Sequence, residues 1–189
     1  MHEIALDRIV AKARTGDPAA IAALYDEFAT RVYRFALLRV QAPSDAEDLL
    51  QRIFVKVIEG LPRYESRGVP FAAWLFRIAR NTVIDHERTR HEHSSLDELA
   101  QRTDQRAGPE ELAEVAFDRL AIRSALEQLT PEQRDVIAYR FFADLSPREI
   151  GLLMDRREGA VRALQFRAIH TLRESLDRRS DRLASGISA

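Results

Sequence analysis

The sequence predicts an all-α protein of two small helical domains joined by a flexible acidic linker. Three observations predict it. Apolar residues recur at spacings of three and four, and no stretch alternates at two as a strand would. Helix-start signatures recur along the chain. Residues 93 to about 110 carry Ser, Gln, Gly, Pro and many acids without an apolar period. The expected division is a helical domain over 1–92, a linker over 93–111 and a second helical domain over 112–189.

A short amphipathic segment over 4–14 comes first. Asp17-Pro18 then opens a second helix with an N-cap acid and a first-turn proline. Its apolar stripe is Ile21, Leu24, Phe28, Val32 and Phe35. Ser44-Asp45-Ala46-Glu47 reads as a capping box for a third helix over about 45–60, whose expected buried set is Leu49, Leu50, Ile53, Phe54, Val57 and Ile58. Gly60 and Pro62 stop it. After a polar loop from Pro62 to Pro70, a fourth helix runs from Phe71 to about Arg90. Phe71, Trp74, Leu75 and Ile78 form its inner face, and Trp74 is expected in the core.

The second domain is organised by residues 126–176. Thr130-Pro131-Glu132-Gln133 and Ser146-Pro147-Arg148-Glu149 share one design: hydroxyl N-cap, first-turn proline, amide or acid at the third helical position. A helix over about 147–154, a turn at 155–157 and a long helix over about 158–178 match the helix-turn-helix plan. On the long helix Val161, Leu164, Ala168 and Leu172 form a buried stripe, while Arg162, Gln165, Phe166, Arg167 and Arg173 lie on or near the opposite side. A recognition helix needs that split, because one face packs while the other reaches bases and phosphates.

Composition limits the function classes. With no cysteine in 189 residues, disulfides, thiolate zinc sites and thiol redox sensing are excluded. No apolar run is long enough to span a bilayer and no signal-peptide pattern opens the chain, so a cytoplasmic protein is expected. The net charge of -1 hides local asymmetry. Residues 156–182 carry eight arginines against four acids, and residues 94–118 carry seven acids against two arginines. Affinity for nucleic acid is therefore expected to be local. His86, His91 and His93 do not share the i, i+4 spacing of a helical zinc site, and no phosphate loop or nucleophile elbow occurs. Neither a metal nor a cofactor is expected.

The run Asp45-Ala46-Glu47-Asp48-Leu49-Leu50-Gln51, and the run from Phe71 to Asn81 with Ile84-Asp85 behind it, resemble the second conserved region of bacterial sigma factors. The C-terminal helix-turn-helix resembles their fourth region. With these two regions in this order, the chain is similar to the extracytoplasmic-function (ECF) group. The resemblance implies a protein that is not itself an enzyme. Such a protein binds core RNA polymerase through the β′ coiled coil and the β flap, directs it to promoter DNA and helps melt the duplex. It also implies an anti-sigma partner.

Residue by residue, the resemblance implies three sites. Asp48, Gln51 and Arg52 fall on the helix that docks on the polymerase; the family more often has an acid where Arg52 stands. Tyr64, Arg67, Arg77 and Asn81 match the reader of the minus-ten element, where rings, guanidinium planes and amides capture unstacked bases. Arg80, Arg88 and Arg90 are placed for backbone phosphates there. Arg162, Phe166 and Arg167 match the reader of the minus-thirty-five element, with Arg148 set for a phosphate beside the preceding helix. The turn Met154-Asp155-Arg156-Arg157-Glu158-Gly159-Ala160 departs from the Gly-containing turn with a small hydroxyl residue common in the family. Two other classes fit the sequence pattern less fully: a stand-alone helix-turn-helix regulator with a helical sensing domain, and a protein-binding helical adaptor.

Overall fold

Glycine, proline and capping residues set the limits of most helices. A computed structural model describes residues 3–40, 42–66, 68–94 and 124–186, with side chains described over 5–40, 42–66, 68–90 and 124–178. The N-terminal bundle comprises α1 (Glu3–Ala13), α2 (Pro18–Leu37), α3 (Pro43–Gly60), a 3₁₀ turn (Leu61–Arg63) and α4 (Phe71–Ser94). The C-terminal unit comprises α5 (Pro131–Ile137), a π-helical turn (Ala138–Phe142), α6 (Pro147–Met154) and α7 (Glu158–Gly186). No strand occurs among the described residues. From residue 95 onward, the expected linker lies outside them.

The caps at Asp17, Thr130 and Ser146 form as expected. The Asp17 carboxylate accepts from the amides of Ala19 and Ala20. Thr130 with Gln133, and Ser146 with Glu149, each close a reciprocal capping box. The box expected at Ser44 does not form. Instead α3 begins at Pro43, with Ala42 at the cap and no side-chain cap bond. Proline is pre-set for the first helical position, so Pro43 starts the helix and draws Ser44 inside it.

Buried residues from both units form one continuous cluster. In the N-terminal bundle Leu24, Phe28, Val32 and Phe35 of α2 meet Leu49, Ile53 and Val57 of α3 and Phe71, Leu75, Phe76 and Ala79 of α4, all buried. Burying a ring such as Phe28 contributes about 1.5–3 kcal/mol. On α3, Leu50 is only partly buried and Ile58 is exposed, so the buried stripe is narrower than expected. Trp74 packs against the core: a Cβ on Gly60 would meet its ring at 2.9 Å.

In the C-terminal unit α5 and α6 both pack on α7, burying Val136, Ile150, Val161, Leu164 and Ala168. The units also pack on each other, α6 against α4 and the π turn against α2. A π turn is a local widening common at functional sites. Here Ala143 N–H donates to the Ala138 carbonyl at 3.0 Å, five residues back.

Candidate nucleic-acid interface

The recognition-helix face follows from the helix-turn-helix turn. α6 ends on Asp155, whose φ of 53° and ψ of 49° are left-handed. Asp tolerates this conformation better than most residues and here takes the place of the usual glycine. The glycine the turn does require lies earlier, at Gly151, where the Arg156 backbone passes close by. An ion pair from Arg156 to Glu132 ties the turn to α5.

With the turn closed, Val161, Leu164 and Ala168 are buried, Leu172 is partly buried, and Arg162, Phe166 and Arg167 face outward. Phe166 is 72% exposed. A ring so far out on a charged helix face has little to pack against among the described residues. Arg162 donates from Nε (3.1 Å) and Nη2 (2.6 Å) to the Glu158 carboxylate. Both partners are solvent-exposed, so the pair is worth at most about 1 kcal/mol and gives way readily to a phosphate. Arg148 is exposed at the start of α6, beside an open cleft that it lines with Leu152, Arg156 and Arg157.

On α4 the structure sorts the arginines by face. At 3.6 residues per turn, Arg77, Asn81 and Arg88 lie within about 40° of arc, opposite the buried face of Leu75, Ala79 and Val83. All three are exposed. Arg80 sits at the edge of that face, and its Nε donates to Asp135 of α5 at 3.2 Å. Arg90 is exposed but turns the other way, lining a groove between α3 and α4 with Gln51 and Arg52. It thus lies beside Gln51 and Arg52 of α3 rather than with Arg77 and Asn81. Arg67 lies outside the described residues.

Tyr64 is buried, contrary to its expected role as a platform for a splayed base. It is 5% exposed, its hydroxyl donates to the Val69 carbonyl at 2.9 Å, and its ring packs on Phe71 and Trp74. Burial pushes that hydroxyl above its ordinary pKa. In this conformation Tyr64 anchors the loop that precedes α4.

Asp48, Gln51 and Arg52 are exposed on α3. Beside them lies Val55, which the sequence reading did not single out and which is 55% exposed. Val55 lines the α3–α4 groove with Lys56, Glu59, Asp85 and His86. The available signal was positional: Val55 falls on the same helical face as Asp48, Gln51 and Arg52, outside the apolar stripe. Among the described residues no cluster of His, Asp or Glu is arranged to hold a metal ion, and no helix is long and apolar enough to cross a membrane. The side chains of His91 and His93 lie outside the described residues.

Comparison with known proteins finds two matching regions in this order. Sigma-70 region 2 matches residues 24–93, and Sigma-70 region 4 matches residues 125–174. The ECF RNA polymerase sigma factor BldN of Streptomyces coelicolor is 33% identical over 166 residues, spanning 87% of this chain and 63% of its own length. SigD of Mycobacterium tuberculosis H37Rv, also an ECF RNA polymerase sigma factor, is 32% identical over 177 residues, covering 90% of this chain and 84% of its own. The structure of CnrH in complex with the cytosolic domain of CnrY superposes with a TM-score of 0.68 at 24% identity, covering 90% of this chain and 96% of that one. At that identity the likeness speaks to fold alone.

Proposed function

Because the chain belongs to the ECF family of RNA polymerase sigma factors, we infer that it binds core RNA polymerase, directs it to promoters and helps melt the DNA there. The carrying observation is the outward set Arg162, Phe166 and Arg167 on a helix whose other face is buried, in a chain that also carries region 2. α7 reads the minus-thirty-five element in the major groove: the guanidiniums take guanine edges or phosphates, and the Phe166 ring lies against thymine methyls. Arg148 holds a phosphate beside the α6 amides. Arg77, Asn81 and Arg88 face the minus-ten strand, with Asn81 hydrogen-bonding an unstacked base and the arginines taking phosphates or stacking.

The polymerase docks on α3 through Asp48, Gln51 and Arg52, with Val55 giving the contact an apolar centre. The β′ coiled coil takes this face and the β flap takes the C-terminal unit. An anti-sigma protein, by the family's pattern, is the third partner. Chemistry belongs to the polymerase, and the protein acts in the cytoplasm. Promoter-directed transcription with purified core polymerase tests the reading: initiation at a genomic promoter is expected only when both are present. Tight duplex binding with no initiation at any promoter would instead identify a stand-alone regulator.

A further inference from the structure

α2 meets the segment from α5 through the π turn as an antiparallel zipper, one contact per turn. Arg39 pairs with the carboxylate of Asp135. Four residues earlier on α2 and four later on the partner, Phe35 stacks on Tyr139, with ring centroids 5.6 Å apart and planes 14° apart. Four further on, Arg31 donates from Nε and Nη2 to the Ala143 carbonyl. Asp135 is 7% exposed. Its second oxygen takes Arg80 of α4, so one buried carboxylate joins α4 and the turn that follows α2 to the C-terminal unit.

We propose that Asp135, gripped by Arg39 and Arg80, is the latch of a closed state in which the two promoter-reading units are docked and cannot engage a promoter together. The proposal rests on the sigma-factor reading for its consequence, though not for its geometry. A compact chain of this length has a radius of gyration of about 16 Å. Elements named minus-ten and minus-thirty-five are separated by roughly two and a half helical turns of DNA, or roughly 80 Å. The docked units cannot span that distance. Closure also occupies Arg80, one of the phosphate candidates beside Arg77 and Asn81.

The contact is built to release. Besides its charge-assisted bonds it buries two groups without a hydrogen-bond partner among the described residues, Tyr139 Oη and Arg39 Nε. Both regain partners from water when the units part. A buried pair of this kind stabilises little over its separated state, yet its loss on one side alone strands the other charge. Polymerase binding that favours the parted units therefore opens the latch at modest cost.

The test uses the absence of native cysteine. Spin labels at Asp26→Cys and Asp177→Cys, both exposed, report the separation of the units in the full-length chain. The parent should give one narrow distance, and Asp135→Ala and Arg80→Ala should each give a longer, broader distribution. Free Asp135→Ala should also bind fork-junction promoter DNA about tenfold more tightly, as occluded molecules become competent. Helical circular dichroism checks that each variant is folded, and the half-exposed Arg80 provides the readout if Asp135→Ala does not fold. A broad distribution in the parent, or an unchanged distance in folded Arg80→Ala and Arg39→Ala, overturns the latch. The distances involve no DNA, so failure of the sigma-factor reading would appear separately, in the transcription assay.

Discussion

A Cβ built on Gly151 would lie 2.6 Å from the carbonyl oxygen of Arg156, across the turn between α6 and α7. The Arg156 amide donates back to the Gly151 carbonyl at 2.9 Å, so the two backbones are held at that approach. Gly151→Ala must push a main-chain carbonyl rather than a pliable side chain. A loss of about 1–3 kcal/mol in denaturant unfolding is expected. Gly159, with nothing within 4 Å of a Cβ, is the control. Gly159→Ala should be neutral or stabilise α7 by up to about 1 kcal/mol. Equal destabilisation by both would contradict the close-packed turn.

Ser146 and Ser44 look alike in sequence and differ in structure. Ser146→Ala removes a hydroxyl that accepts the Glu149 amide and should cost about 1 kcal/mol. Ser44 stands inside α3 with no cap bond at that end, so Ser44→Ala should change thermal stability by no more than about 0.5 kcal/mol. A Ser44 cost matching that of Ser146 would restore the cap that the structure lacks.

That pair also marks what was legible in the sequence. Helix starts at Asp17, Thr130 and Ser146, the helix-turn-helix and the outward set on α7 follow from local chemistry, since caps and 3.6-residue periodicity act within one or two turns. The burial of Tyr64 is not legible there, because a loop tyrosine reads the same whether it packs or projects; only Phe71, Trp74 and the Val69 carbonyl decide, and they meet it in three dimensions. The pairing of Asp135 with Arg39 and Arg80 was equally invisible, because partners 96 and 55 residues away leave no local period. The π turn that aims Tyr139 at Phe35 likewise leaves no spacing to read.

Phe166 should separate recognition from docking. Its ring is almost free of the fold, so Phe166→Ala should leave the melting temperature unchanged. Loss of thymine-methyl contact should weaken binding to a minus-thirty-five duplex by about 1–3 kcal/mol, and Arg162→Ala with Arg167→Ala should weaken it further. Core-polymerase affinity should stay at the parent value in pull-down or anisotropy measurements. Parallel loss of polymerase binding would mean that α7 serves both partners.

The converse holds for Val55. An apolar side chain 55% exposed at the edge of the α3–α4 groove adds nothing to the core, so Val55→Glu should fold with parent stability. A carboxylate forced into the centre of a protein interface is desolvated without a partner, which costs several kcal/mol. Core-polymerase binding should therefore fall by at least about a hundredfold, while duplex binding by the C-terminal unit persists. Unchanged polymerase affinity would move the docking face off this groove.

Tyr139→Phe tests the contact between the units from its unfavourable side. The ring is fully buried and stacked on Phe35, and its hydroxyl has no partner among the described residues. Burial, with the Asp135 charge nearby, pushes that hydroxyl far above its ordinary pKa, so it is neutral at every working pH and contributes no charge. Phenylalanine keeps the stacking and removes an unsatisfied buried donor, whose burial costs about 1–3 kcal/mol. The variant should match or exceed the parent in unfolding free energy, because the parent hydroxyl regains water only when the units part. For the same reason, spin-label distances should stay at the closed value and core polymerase should be needed at higher concentration to lengthen them. A clear drop in stability would mean that the hydroxyl has a partner, and that the contact between the units is better satisfied than its geometry indicates.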